Sequence, residues 1–133
     1  MCSIINIVPS IKRTGLPLML LEIAGKQRLF LIDSGSSSNL ISNSLNSIAK
    51  TRFIASGTSF GYEGQKVDHD IVQTVYYFNR KKFVGIFTLT SDDTFDVFKE
   101  ESNLTVEGIL GVPFLINHNC ILDFEKGVLM VDD

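Results

Sequence analysis

The chain has 133 residues, of which 44% are hydrophobic and 20% charged, with no tryptophan and a formal net charge of −3. That length fits one domain, here residues 1–133, and the composition is that of a soluble globular protein. The acidic balance argues against a nucleic-acid or membrane-surface binder, which needs a basic patch, and the apolar runs at 16–21 and 109–116 are too short or interrupted to span a bilayer.

Residues 1–15 carry Ile4, Ile5, Ile7 and Val8, then Pro9, Lys12, Arg13 and Gly15, and read as an N-terminal strand or arm followed by a turn. The apolar part is too short for a signal-peptide core and has no basic segment before it. Cys2 and Cys120 do not make a disulfide framework. Cys120 sits in a strand-like run, where a thiol behaves as a small hydrophobe. A reducing, cytoplasmic setting is expected. Residues 17–23 and 28–32 are predicted strands of one hairpin, turning at 24–27. Beyond Asp33, residues 39–42 are a short predicted strand. Ser42 is placed to cap a helix on which Ile41, Leu45 and Ile48 share a face. Phe53 and Ile54 restart extended structure. Residues 56–64 set three glycines around Phe60 and Tyr62, the signature of a mobile hairpin tip.

Residues 66–74 are polar with sparse apolar positions. Strands are predicted at 75–78 and 83–89, joined by a turn at 79–82. Residues 91–103 are expected as an acidic surface loop anchored by Phe95, Val97 and Phe98, with room for one helical turn. Residues 106–111 turn apolar again, and 112–117 read as a short helix, since Pro113 is tolerated in a first turn. A closing hairpin is predicted from 121–124 and 128–131. There is a weak internal symmetry: the hairpin at 17–32 leads into Asp33 and a short helix, and the hairpin at 75–89 leads into Ile109, Leu110, Gly111 and another. Only the first copy carries an acid.

That acid is the most informative residue. Phe30, Leu31 and Ile32 run straight into Asp33, Ser34 and Gly35; Ser36, Ser37 and Ser38 follow, and apolar character resumes at Leu40 and Ile41. A carboxylate ending a buried strand is costly unless it is neutralised, paired or well hydrogen-bonded. The bland reading is a turn aspartate capping the next amides. A phosphodegron spanning Asp33, Ser34, Gly35 and Ser38 needs a disordered segment, which the apolar flanks oppose. His69 and His118 lack metal-ligand companions at useful spacing and read as surface or satisfied core residues. Asp92, Asp93, Asp96, Glu100 and Glu101 do not follow a calcium-loop pattern. No metal and no cofactor is expected, and neither a Ser–His–Asp triad nor a phosphate-cradling glycine motif can be assembled.

Taken together, the Asp33-Ser34-Gly35 turn with its apolar flanks, the glycine-rich segment at 57–64, the Ile109-Leu110-Gly111 element followed by Phe114 and Leu115, and the closing hairpin with Leu122, Asp123 and Phe124 resemble the retropepsin-like aspartic proteases. The likeness spans about residues 16–131. It implies an all-β fold: a closed barrel of the retropepsin-like (acid protease) type with one or two short helices. It also implies a homodimer, because each chain brings one such Asp and the chain is too short for two fused lobes. The implied interface is isologous.

On this resemblance Asp33 is the catalytic residue of an aspartic endopeptidase acting on a peptide or protein substrate. Two carboxyls within hydrogen-bond reach share one proton, as aspartic proteases are the standard case for. The ionised member acts as base on a water, while the protonated member donates to the scissile carbonyl. Ser34 stands where the family more often has Thr, whose hydroxyl bonds across the two-fold axis. Gly35 keeps the approach open. Ser36, or Ser37, is a candidate to orient the carboxylate. Gly57, Phe60, Gly61 and Tyr62 belong to a flap that closes over substrate, although the two aromatics also fit simple packing of a hairpin tip. Ile109, Leu110 and Gly111 form the loop behind the catalytic turn. Asp123 matches a structural strand position of the family. Some features depart from the pattern: Val112 and Pro113 replace the Arg that supports many viral dimers, the flap has fewer consecutive glycines, and the 91–103 segment is long. The other reading kept in view is a non-catalytic dimerisation or peptide-binding module of the same fold.

Overall fold

A computed structural model describes residues 2–60 and 66–133, with backbone alone at 58–60 and 66–68. Gly61 and Tyr62 lie outside the described residues, and Phe60 contributes only its backbone.

The protein is mostly β, with a closed six-stranded barrel and a few short helices. Strands β1 (Cys2–Asn6), β2 (Leu18–Ile23), β3 (Lys26–Ile32), β4 (Leu40–Ser42), β5 (Thr51–Phe60), β6 (Lys66–Phe78), β7 (Lys81–Thr90), β8 (Val106–Leu110), β9 (Ile121–Asp123) and β10 (Val128–Asp132) are joined by helices α1 (Val8–Thr14), α2 (Asn43–Ile48), α3 (Asp96–Ser102) and α4 (Val112–Asn117). The barrel runs β2-β3-β8-β4-β7-β6 and closes where Glu22 of β2 pairs with Tyr77 of β6.

Its centre repeats one unit twice. Hairpin β2–β3 is followed by β4 and α2, and hairpin β6–β7 by β8 and α4. The units interlock, because β8 runs parallel to β3, β4 runs parallel to β7, and β4 and β8 lie antiparallel between them. The weak symmetry of the sequence is therefore a property of the fold. Gly108 is what lets β8 fit: a Cβ there would collide with the Leu40 carbonyl oxygen and the Phe30 ring.

Two apolar clusters explain the near-continuous hydrophobic run of β3. Phe30 and Ile32 join the main core with Leu21, Ile41, Tyr76, Phe87, Leu110 and Phe114. Leu29 and Leu31 face a second cluster built on Leu18, Phe95, Phe98 and Val106. A strand covered on both faces loses the alternation of a half-exposed one.

The segment expected as an acidic surface loop at 91–103 is more ordered than one helical turn. A 3-10 turn at Asp92–Phe95 leads into α3, with Phe95 and Phe98 buried beneath and the acids outside. Asp92 also caps α2: its carboxylate accepts from the Ser44 amide at 2.9 Å and from the Ser44 hydroxyl. These bonds, the hydroxyl's first, hold the Asp92 carboxyl below its ordinary value. Ser42 is the N-cap expected, accepting from the Leu45 amide at 3.1 Å. Of the three residues expected to share a helix face, Leu45 alone is buried on α2: Ile41, also buried, belongs to β4, and Ile48 is 59% exposed.

The N-terminal arm is a strand and a helix. β1 pairs with β10, and β9 completes a separate three-stranded sheet. Pro9 marks a helix start rather than a strand end, since α1 carries it in its first turn. The β6–β7 turn contracts to Asn79 and Arg80, with φ of 53° and 65°, as a two-residue hairpin loop demands.

β6 reaches further back than its apolar half. Ile71 to Phe78 pair with β7, while β5 follows β6 from Thr51↔Thr74 out to Phe60↔Lys66. The outer part of the β5–β6 pair is thus a two-stranded ribbon projecting past the barrel wall. A ribbon without a sheet on either side has no core to face, which accounts for the polar stretch at 66–70.

Candidate active site

Asp33 is delivered by the end of β3. Its amide donates to the Leu110 carbonyl at 3.0 Å, extending the parallel β3–β8 pairing by one residue. The chain then reverses: the Ser36 amide donates to the Asp33 carbonyl at 3.1 Å, and the Gly35 amide donates to Asp33 Oδ1 at 2.9 Å. Such a side-chain-to-backbone bond is the ordinary way an aspartate sets a turn. Asp33 is half-buried, while Ser34 and Gly35 are exposed. Oδ2 makes no hydrogen bond to another described residue. The carboxyl is therefore fixed through one oxygen and open through the other. A Cβ on Gly35 would stand 3.2 Å from Oδ1, so glycine keeps the carboxyl's flank clear.

The turn is held from behind. Val112 donates its amide to the Ser36 carbonyl at 2.9 Å. Gly111 lies so close that a Cβ would meet the carbonyl oxygens of Ser38 and, at 2.6 Å, Ser36. Ile109 and Leu110 fix β8 through pairing with Leu31, Ile32 and Leu40. The predicted Ile109-Leu110-Gly111 element and the Asp33 turn are thus in contact. The Ser36 hydroxyl donates to the Ser38 carbonyl at 2.7 Å rather than to the carboxylate, so Ser36 stiffens the turn and does not orient Asp33 directly.

Asn39 belongs to the site and escaped the sequence reading. It is buried, and its Oδ1 accepts from the amides of Gly111 at 2.9 Å and Phe114 at 3.3 Å. Its Nδ2 donates to the Ile86 carbonyl at 3.3 Å. Gly111 has no side chain with which to cap α4, and Asn39 supplies the missing acceptor. The available signal was a polar residue wedged between a serine run and Leu40-Ile41, since a buried amide must find partners.

A cleft of about 360 Å³ adjoins the turn. One wall is Ser36, Ser37 and Ser38; another is the base of the ribbon at Gly57, His69 and Ile71; the end of β7 closes it with Thr88, Leu89 and Thr90. Gly57 is thereby brought beside the Asp33 turn, and His69 proves to be a cleft residue. A larger apolar hollow of about 520 Å³ lies between β1, α1 and the β2–β3 hairpin, away from Asp33.

His118 is a satisfied core residue. Only 2% exposed, it bonds to the Tyr76 hydroxyl at 2.8 Å and, through Nδ1, to the Asp132 carbonyl at 2.7 Å. Among the described residues no group of three or more His, Cys, Asp or Glu is placed to hold a metal ion. Among the described residues no helix is long and apolar enough to cross a membrane. The chain matches no protein-family model and no curated protein.

Chemically, the site offers one anchored carboxyl with an open oxygen, a rigid backing and an adjacent cleft. One carboxyl can accept or give a proton, but it cannot activate water and polarise a carbonyl in the same step.

Proposed function

We propose that the chain is one subunit of a homodimeric aspartic endopeptidase of retropepsin-like type, with Asp33 from each copy forming the catalytic pair. The observation that carries this reading is the rigidity given to a half-open carboxyl: Asp33 is anchored by Gly35, Leu110 and Ser36, and Gly111 and Asn39 brace the turn. An aspartate that merely capped a turn would need no such bracing. Asp33 of one copy takes the proton of a water as it attacks the peptide carbonyl. The other Asp33, protonated, donates to the carbonyl oxygen, and collapse of the tetrahedral intermediate releases the amine. Titration belongs to the pair. In this reading Ser34, exposed beside Asp33, supplies the bond across the two-fold axis, and the β5–β6 ribbon serves as the flap that excludes water.

The test compares wild type with Asp33→Asn on a peptide library at mildly acidic and at neutral pH, alongside sedimentation to measure mass. Cleavage by the wild type alone, from a dimeric species, is expected. Negligible cleavage by both proteins would sink the enzyme reading, and a dimer that binds peptides without cutting them would be the non-catalytic module. A chain that stays monomeric at high concentration would exclude a shared site.

A further inference from the structure

We propose that the free edge of β2, with the apolar hollow beside it, docks an extended peptide of alternating apolar residues that carries an acid, taken up by strand addition. The site lies away from Asp33 and does not depend on the protease reading. In the β2–β3 pair the Ile32 amide donates to the Pro17 carbonyl at 3.0 Å. By alternation Met19 and Leu21 also turn their peptide groups to β3, while Leu18, Leu20 and Glu22 turn theirs outward. Part of that outward row is met. The Leu18 amide donates to Ser10 Oγ at 3.0 Å, and Glu22 pairs with Tyr77 of β6. β6 then ends at Phe78 and turns away into β7. The Leu18 carbonyl and both peptide groups of Leu20 make no hydrogen bond to a described residue. They form an acceptor–donor–acceptor row in the lane that β6 vacates, and Leu20 is 48% exposed. Such a row is a template for one more strand.

The hollow of about 520 Å³ opens on this edge. Leu18, Met19 and Leu20 line it in succession. Consecutive side chains of a strand point to opposite faces, so a cavity that meets all three lies against the strand's edge. Ile5, Pro9, Leu29 and Leu104 make the rest of its wall apolar. A strand added to β2 sets every second side chain over Leu18 and Leu20, which calls for apolar residues at alternate positions. Arg13 is the one charged residue lining the hollow. Its Nε and Nη2 both donate to the Ser102 carbonyl, at 3.2 and 2.7 Å. That fixes the guanidinium and leaves Nη1 uncommitted, and Arg13 forms no ion pair with a described residue. A carboxylate on the peptide completes it with a charge-assisted bond. A fatty acid would suit Arg13 and the apolar wall but leave the β2 peptide groups unmet, so the peptide is the better occupant.

The experiment uses the Asp33→Asn protein, so that no peptide is cut, and reads fluorescence anisotropy. The probe is a labelled, C-terminally amidated heptapeptide that alternates Val and Thr and ends in Glu. Two isomers are N-methylated, one at every Val and the other at every Thr. The unmethylated probe is expected to bind. One isomer should lose about tenfold in affinity or more, the scale of a lost hydrogen bond, and the other should not: methylation at Val blocks an antiparallel strand, at Thr a parallel one. Arg13→Gln should weaken the Glu probe about fivefold, as for an exposed ion pair, and leave its Gln counterpart unchanged. Leu20→Pro removes the outward amide without breaking the β2–β3 ladder and should abolish binding; if that variant does not fold, the two methylated isomers decide alone. No binding of the unmethylated probe, or equal losses in both isomers, overturns the proposal. Equal losses together with displacement by dodecanoate would assign the hollow to an amphiphile instead.

Discussion

Two glycines flank the function of Asp33 in different ways. Gly111 is a packing requirement, since its missing Cβ is the space occupied by the carbonyls of Ser36 and Ser38. Gly35 is a clearance requirement, because a Cβ there would touch only the carboxyl it serves. Gly111→Ala must push backbone aside and is expected to lower stability by about 3 kcal/mol, at the upper end of overpacking costs. Gly35→Ala is expected to cost less than about 1 kcal/mol yet to impair cleavage, because it crowds the carboxyl without disturbing the core. Urea denaturation and peptide hydrolysis, measured on both variants, separate the two effects. Equal losses of stability would refute the distinction. Asp33, Gly35 and Gly111 were legible in the sequence because residue type and local pattern announce them. Asn39 was not, because its partners lie 72 and 75 residues away and nothing local reports a hydrogen bond of that span. His69 escaped for the same reason: its cleft exists only when β5, β6 and the serine turn meet.

Among the elements, the seam between the barrel and the β1-β10-β9 sheet carries the clearest pH signature. β6 sends Tyr76 to His118, and His118 bonds to Asp132 of β10. Burial pushes the Tyr76 hydroxyl up from 10.0 to about 12, against a lowering bond from Asn117, while Cys120 adds to the rise. Burial likewise raises the Cys120 thiol from 9.0 to about 11, helped by Asp132 and then Cys2. Both groups are acids that the folded state keeps neutral, so the unfolded chain ionises first as pH rises. Their contribution is whole below pH 9 and is lost progressively towards pH 12. The denaturation midpoint should therefore begin to fall near pH 9, and Cys120→Ala should delay the fall towards pH 10. An onset unmoved by that substitution would assign the alkaline limit to other groups. Strands and hairpins of this kind were readable from short apolar runs bounded by turn residues. α1 was not, because Pro9 is equally at home ending a strand or beginning a helix. Nor was α3, whose acids advertise a loop while Phe95 and Phe98 hold it to the core.

At the scale of the whole molecule, the interlocked halves supply one anchored carboxyl per chain, and the proposed chemistry needs two. An isologous pair makes activity depend on how subunits mix. Titrating Asp33→Asn into wild type at constant total concentration should leave roughly a quarter of the activity at equal amounts if dimers exchange freely and need both acids, against roughly half if chains act alone. Stopped mixing with a fluorogenic peptide reads the difference directly. The closed barrel was foreseeable only through the resemblance that the Asp33 turn and its companion segments carry, not from the strand pattern itself. Its closure through a single Glu22↔Tyr77 pairing was not, since one bridge leaves no mark on sequence.

The bracing of Asp33 by Asn39 and Gly111 also bears on biosynthesis. The turn is made early by the ribosome, but the strand and helix that immobilise it emerge only 72 residues after Asn39. Contacts of such separation form late, once loop closure has been offset by core burial. An emerging or truncated chain thus displays the acid without its scaffold. Whatever chemistry Asp33 performs stays switched off until synthesis has passed Gly111 and the barrel has shut.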